Sequence, residues 1–163
     1  MRLKTFGRAI LCLVCLASPA AAGTVTDTFD VTLTIQAGCE VSAPNNLNFG
    51  TVTFLDTALT GTVTFSVRCT SGTNGTISLN GGIGSSGTVA TRTMESGANS
   101  INYSLYTSGT YTTIWGDGSS GTSTVAHNGT GSTTTLTIYG QVPGPSTPVA
   151  GTYSDTITIT VAY

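Results

Sequence analysis

Val25-Thr26-Asp27-Thr28-Phe29-Asp30-Val31-Thr32-Leu33-Thr34-Ile35 is the stretch that decides the fold class. Its apolar side chains, Val25, Phe29, Val31, Leu33 and Ile35, fall on odd positions, while threonines and Asp30 hold the even ones. In an extended chain successive side chains point to opposite faces, so this spacing collects the apolar groups on one face and the hydroxyls on the other. On a helix the same residues would be scattered around the axis. The stretch predicts a β-strand with one face meant for burial.

The alternation recurs downstream. Val63, Phe65, Val67 and Cys69 follow it, then Ile77 and Leu79, then Ile101, Tyr103 and Leu105, then Leu136, Ile138, Gly140 and Val142. Tyr153, Ile157, Ile159, Val161 and Tyr163 carry it to the end of the sequence, as a core-facing strand. The intervening segments are glycine-rich, at Gly81-Gly82, Gly84 to Gly87, Ser96-Gly97, Gly116 to Gly121 and Asn128 to Gly131, where tight turns call for residues that tolerate positive φ. Thr, Ser, Gly and Val dominate, and helical spacing of Leu, Glu, Lys and Ala is missing, so the expectation is an all-β meander or Greek-key sandwich with essentially no helix. Pro143, Pro145 and Pro148 remove backbone donors from the segment after Val142, which is therefore a loop. Tyr106, Tyr111 and Trp115 mark a hairpin whose aromatics either cap the core or reach the surface.

Upstream of this pattern, Arg2, Lys4 and Arg8 precede the apolar run Ala9 to Ala17 and then Ser18-Pro19-Ala20-Ala21-Ala22-Gly23. That is the layout of a secretory signal peptide over residues 1–22, with cleavage after Ala22. The run is far short of the roughly 20 residues a membrane-spanning helix needs, and no other segment offers a span. Cys12 and Cys15 fall inside the signal without the flanking residues of a lipoprotein site. What remains, 23–163, is about 140 residues, a size suited to one domain with a real core. Its basic residues are Arg68 and Arg92 alone, against 7 acids scattered singly, which excludes nucleic acid as a partner. Cys39 and Cys69 are the cysteines left, and an even count in an oxidising compartment predicts one disulfide.

Motifs that suggest chemistry resolve into turns. Gly82 to Gly87 and Gly116 to Gly121 both match G-x-G-x-x-G, yet each is followed by a Thr/Ser/Val stretch and not by the helix that a dinucleotide site requires. His127 is the one histidine, in a turn-like context, and no G-x-S-x-G elbow accompanies it, so neither a serine triad nor a metal centre is expected. Glu40, Glu95, Asp117 and Asp155 show no spacing that favours a glycosidase pair. Asn74-Gly75-Thr76 and Asn128-Gly129-Thr130 fit the glycosylation sequon and are read as Asn-Gly turns. No cofactor, metal or catalytic residue is assigned.

The N-terminal strand ahead of Cys39 has two uses open to it. It pairs within its own sandwich, or it adds to an exposed sheet edge of another subunit, with backbone hydrogen bonds for affinity and pockets for alternate side chains. Here a resemblance enters. Cys39-Glu40-Val41, Phe49-Gly50, Val67-Arg68-Cys69, Arg92-Thr93-Met94, Ile101 to Tyr106, Trp115 to Gly118, Tyr139 to Pro143 and Ala150 to Asp155, taken in order, resemble the spore coat protein U family, which includes Csu-type pilins of the archaic chaperone-usher pathway.

The resemblance implies an incomplete immunoglobulin-like Greek-key sandwich completed by donor-strand exchange, with a periplasmic chaperone, an outer-membrane usher and neighbouring pilin subunits as partners. It implies that Cys39 and Cys69 form the family disulfide and that residues 23–36 are the donor strand, presenting Val25, Phe29, Val31, Leu33 and Ile35. Gly151, Tyr153, Ile157, Ile159, Val161 and Tyr163 would line the acceptor groove and pair with the chaperone. The implied role is a non-catalytic subunit of a surface fibre serving adhesion and biofilm formation, exported through the periplasm. A secreted spore or cell coat protein is the alternative, and a carbohydrate-binding module stacking sugars on Tyr106, Tyr111 and Trp115 is a third reading.

Overall fold

The computed structural model describes residues 21–42 and 44–163. Apart from Ala21 and Ala22, the signal peptide expected over residues 1–22 lies outside the described residues. The chain divides after Thr34 into two units, 1–34 and 35–163.

The second unit holds eight antiparallel strands: β1 (Cys39–Ser42), β2 (Leu59–Cys69), β3 (Asn74–Leu79), β4 (Arg92–Ser96), β5 (Asn99–Tyr106), β6 (Val125–Asn128), β7 (Thr134–Val142) and β8 (Ile159–Ala162). Among the described residues there is no helix. Five strands form one sheet in the order β1-β2-β7-β5-β4, and three form the other in the order β6-β3-β8. Because neighbours in each sheet are mostly not consecutive in sequence, the chain crosses repeatedly between sheets, as in an immunoglobulin-like sandwich.

Register explains why the alternating residues meet. β2 lies against β7 with Phe65 opposite Leu136, Val63 opposite Ile138 and Leu59 opposite Val142, so the odd-numbered apolar positions of β2 share a face with the even-numbered ones of β7. Ile77 and Leu79 answer from β3, and both are fully buried. With Phe65, Val67, Tyr103, Leu105, Trp115, Ile138 and Val142 they make the core. Trp115 is 1% exposed, its Nε1 donates to the Ile77 carbonyl at 3.1 Å, and its ring lies 5.9 Å from Phe65. The expected hairpin exists, with Tyr106 bridged to Ile114 and the Trp115 amide donating to Leu105 O. Of its aromatics, Trp115 caps the core, while Tyr106 and Tyr111 pack edge-to-face outside it, Tyr111 touching Tyr139 in turn. A sugar platform that includes Trp115 is thereby ruled out.

Several expectations need correction. The run Val25 to Ile35 carries no strand, and its apolar face stands in solvent, Phe29 being 86% exposed. A strand's backbone groups must be paired by a neighbour, and alternation alone supplies none. The last strand is shorter than Tyr153 to Tyr163. Ordered pairing is confined to Ile159–Ala162 and a single bridge of Ser154 to Glu95. Between them one backbone bond, Asn80 N to Thr158 O at 3.2 Å, remains and side chains take over the rest of the ladder: Asn80 Oδ1 accepts from the Thr158 amide, and Asp155 Oδ1 accepts from the Ile83 and Thr156 amides. Tyr163 is 64% exposed, so it does not face the core.

Asn74-Gly75 and Asn128 are not turns either, since Asn74 sits opposite Asn128 in the β3–β6 ladder. Gly129 is needed for a different reason: a side chain there would collide with the carbonyls of Thr70 and Thr73. His127 lies on β6 and is buried, not in a turn. The Gly116 to Gly121 motif does form a turn, with Ser119 N donating to Asp117 Oδ1 at 2.9 Å and Gly118 at φ +87. β7 ends at Val142, and the proline-rich loop after it bonds Ser146 N to Leu55 O at 2.8 Å.

Candidate functional site

The sandwich is not sealed along one side. Between the chain at 44–49 and the chain at 153–159 runs a cleft of 460 Å³ whose floor is Val63, Met94, Leu105 and Ile138. Leu47 and Phe49 form one wall, and Ile157 and Ile159 the other. These wall residues are only half-buried although they pack on the core. Side chains at 153, 155, 157 and 159 are half-buried and those at 154, 156 and 158 exposed, so the C-terminal wall keeps the period of a strand where strand pairing has lapsed. β8 pairs on one side only, with β3, and ends its sheet. An edge of this kind presents backbone donors and acceptors without partners and templates pairing with another strand.

The two ends of the cleft differ. Near Phe49, whose ring lies 6.3 Å from that of Tyr103, the Tyr103 hydroxyl donates to Asp155 Oδ2 at 2.6 Å. Burial, reinforced by this bond to a carboxylate, pushes the Tyr103 phenol above its ordinary value. Behind it, and outside the lining, Arg92 is fully buried. It donates through Nε to Asn80 O at 2.8 Å and through Nη2 to Trp115 O at 2.9 Å, so one β4 side chain ties the five-stranded sheet to the end of β3. Burial lowers the Arg92 pKa, and Tyr103 and Asp155 oppose that shift. Gly82 (φ +87) is required here because a Cβ would strike the Asp155 carboxylate. β1 ends with Ser42 opposite Ser66 and the chain reaches Gly61 at Leu47 to Phe49, whereas Tyr103 lies level with the Leu59 end of β2, so the exposed Asn45 and Asn46 stand on the side of the cleft away from Tyr103.

Of the residues that the sequence assigned to a groove, Tyr153, Ile157 and Ile159 line the cleft. Val161 is half-buried on β8 beyond it, Gly151 sits against Ser96, and Tyr163 is exposed. Of the cleft's other lining, alternation marked Val63, Leu105 and Ile138 as core-facing but not as groove, and it did not mark Leu47 or Met94; nor did it join Arg92, Tyr103 and Asp155 into a group. The one sequence signal for that group was that Arg92 is one of only two basic residues from position 23 onward.

At β1, Cys39 and Cys69 are joined, with Cα atoms 4.1 Å apart, as expected. Thr70 extends the anchor: its amide donates to Gly38 O at 2.9 Å and its hydroxyl to Gln36 O at 3.3 Å.

The geometry defines an immunoglobulin-like all-β subunit, open along one sheet edge. The spore coat protein U domain matches residues 25–160, and the chain belongs to that family. It is 32% identical over 161 residues to Protein U of Myxococcus xanthus, covering 90% of this chain and 89% of that protein. It is also similar, at a TM-score of 0.56 and 25% identity over 80% of this chain, to a chain in the crystal structure of the CsuC–CsuE chaperone–tip adhesion subunit pre-assembly complex from the archaic chaperone-usher Csu pili of Acinetobacter baumannii. The match spans 40% of that chain's length.

Proposed function

We propose that this chain is a non-catalytic structural subunit of a surface fibre assembled by a chaperone-usher pathway. The observation that carries the reading is the pairing of a half-open apolar cleft beside a free strand edge with an alternating, solvent-exposed N-terminal run. In this reading the cleft first takes a strand from a periplasmic chaperone, and an outer-membrane usher then exchanges it for Val25, Phe29, Val31, Leu33 and Ile35 of the next subunit. The exchange covers the apolar surface of both partners and satisfies the backbone of both strands. Residues 23–163 act as one domain, with 23–36 as the donor, and the fibre serves adhesion and biofilm formation at the cell surface. The match to the spore coat protein U domain supports assembly into a surface coat as the second reading.

Deleting residues 23–35 tests the proposal. The deleted subunit is expected to co-purify with its chaperone and to give no polymers on denaturant-free gels, because its acceptor cleft is intact and its donor is gone. Polymers of parental length from the deletion would overturn the donor assignment.

A further inference from the structure

The apolar face of the N-terminal run has one interruption. Asp27 shares the odd-numbered face with Val25, Phe29, Val31, Leu33 and Ile35, so the unbroken apolar block is Phe29 to Ile35. That block spans six residue steps, about 20 Å of strand at ~3.3 Å per residue. The cleft wall from Tyr153 to Ile159 also spans six steps. Four alternate side chains therefore fill the cleft, and the next inward-facing position falls just beyond it.

We infer that Asp27 is the register stop for strand insertion into a second copy of this chain, halting beside Asn45 and Asn46 of the accepting copy. The inference rests on the strand-exchange reading and adds to it which part of the donor enters and which way it points. At one end of the cleft Asp155 already holds a carboxylate, engaged by the Tyr103 hydroxyl and the Ile83 and Thr156 amides, and a second carboxylate brought there is repelled. The guanidinium of Arg92 offsets that repulsion only in part, since its Nε and Nη2 already donate to the Asn80 and Trp115 carbonyls and its charge is already shared by Tyr103 and Asp155. At the other end the Asn45 and Asn46 amides, exposed on the rim, can each donate to a carboxylate. Asp27 thus belongs at the asparagine end and Ile35 at the Asp155 end.

A slip of two residues keeps the same face inward, so alternation by itself does not distinguish registers. Such a slip brings residues 27 to 33 into the place of Phe29 to Ile35, and without a charge at 27 the two registers would serve alike. With Asp27 present, that slip places an ionised carboxylate on the floor of Val63, Leu105 and Ile138, which is strongly unfavourable. The carboxylate converts a repetitive strand into one with a single stable position.

The test is disulfide trapping in assembled fibres of the full chain, using Asn46→Cys together with Val25→Cys, in the parent and in an Asp27→Val background. In the parent, the subunit-to-subunit cross-link between positions 25 and 46 should stay at background, because Asp27 holds the site opposite Asn46. With Asp27→Val the same cross-link should rise several-fold as the segment slides inward by two residues. Fibres that form in both backgrounds with equal cross-linking would overturn the stop while leaving strand exchange standing. A parent that assembles no fibres through its N-terminal run would overturn the strand-exchange reading itself, and the stop with it.

Discussion

Replacing Ile159 with aspartate places a charge in the cleft wall at the point where β8 begins, opposite Leu79 in the β3 ladder. Fully burying an isoleucine is worth about 1.5–3 kcal/mol, and since Ile159 is already half-buried in the subunit, about 1 kcal/mol of that belongs to the docking of a strand. Covering an unpaired carboxylate adds at least about 2 kcal/mol, because the lining beside it is Ile157, Val63 and Ile138 and offers no cation. The sum of about 3 kcal/mol weakens strand binding roughly 100-fold. Fluorescence anisotropy of a labelled peptide spanning residues 23–36, titrated with the subunit, measures this directly, and periplasmic accumulation with co-expressed chaperone gives the cellular counterpart. Phe54→Asp is the matched control, since Phe54 is 75% exposed and lies outside the cleft lining. It should bind as the parent does. If Ile159→Asp, with its near-ultraviolet dichroism intact, binds the peptide within threefold of the parent, the cleft is not the strand-accepting site.

Two further outcomes follow from the fold. Cys39→Ser with Cys69→Ser, which opens the loop closed by the disulfide, should lower unfolding stability by roughly 3–4 kcal/mol in urea titrations on the chain-entropy estimate, with strand-peptide affinity little changed because the bridge lies at β1 and not in the cleft. Tyr103→Phe removes the bond to Asp155 and should cost about 1.5–3 kcal/mol, the range for hydrogen bonds to charged groups. It should also change the alkaline limb of stability. The unfolded Tyr103 phenol loses its proton near 10.0 while the folded one holds it to higher pH, so its contribution is fully present below pH 10.0 and is lost as pH rises above it. Thermal denaturation from pH 9 upward should therefore fall less steeply for Tyr103→Phe than for the parent, and equal slopes would refute the assignment.

How much of this was legible in the sequence varies residue by residue. Phe65, Val67, Ile77, Leu79 and Ile138 were readable as core because alternation reports a local fact, the face to which a side chain points in an extended chain. The disulfide was readable from cysteine count and compartment alone. Trp115 was not, because two aromatics four and nine residues before it in the same hairpin, Tyr111 and Tyr106, stay outside the core while it goes in. That choice depends on the space above Phe65 and on the free carbonyl of Ile77, both contributed by distant strands. Arg92 was hidden for the same reason: its partners are carbonyls of Leu79, Asn80 and Trp115, none of them near it in sequence.

The two terminal runs draw the line most sharply. By itself the sequence determined that Val25 to Ile35 and Tyr153 to Tyr163 each carry an apolar face, and it determined the break at Asp27. Only the tertiary structure decided that the first run stands unpaired, that the second pairs over Ile159–Ala162 alone, and that a cleft is left open beside it. The physical reason is that facing is a property of one chain's geometry, whereas burial and backbone pairing need a second strand, and whether one is there depends on how every other strand has already packed.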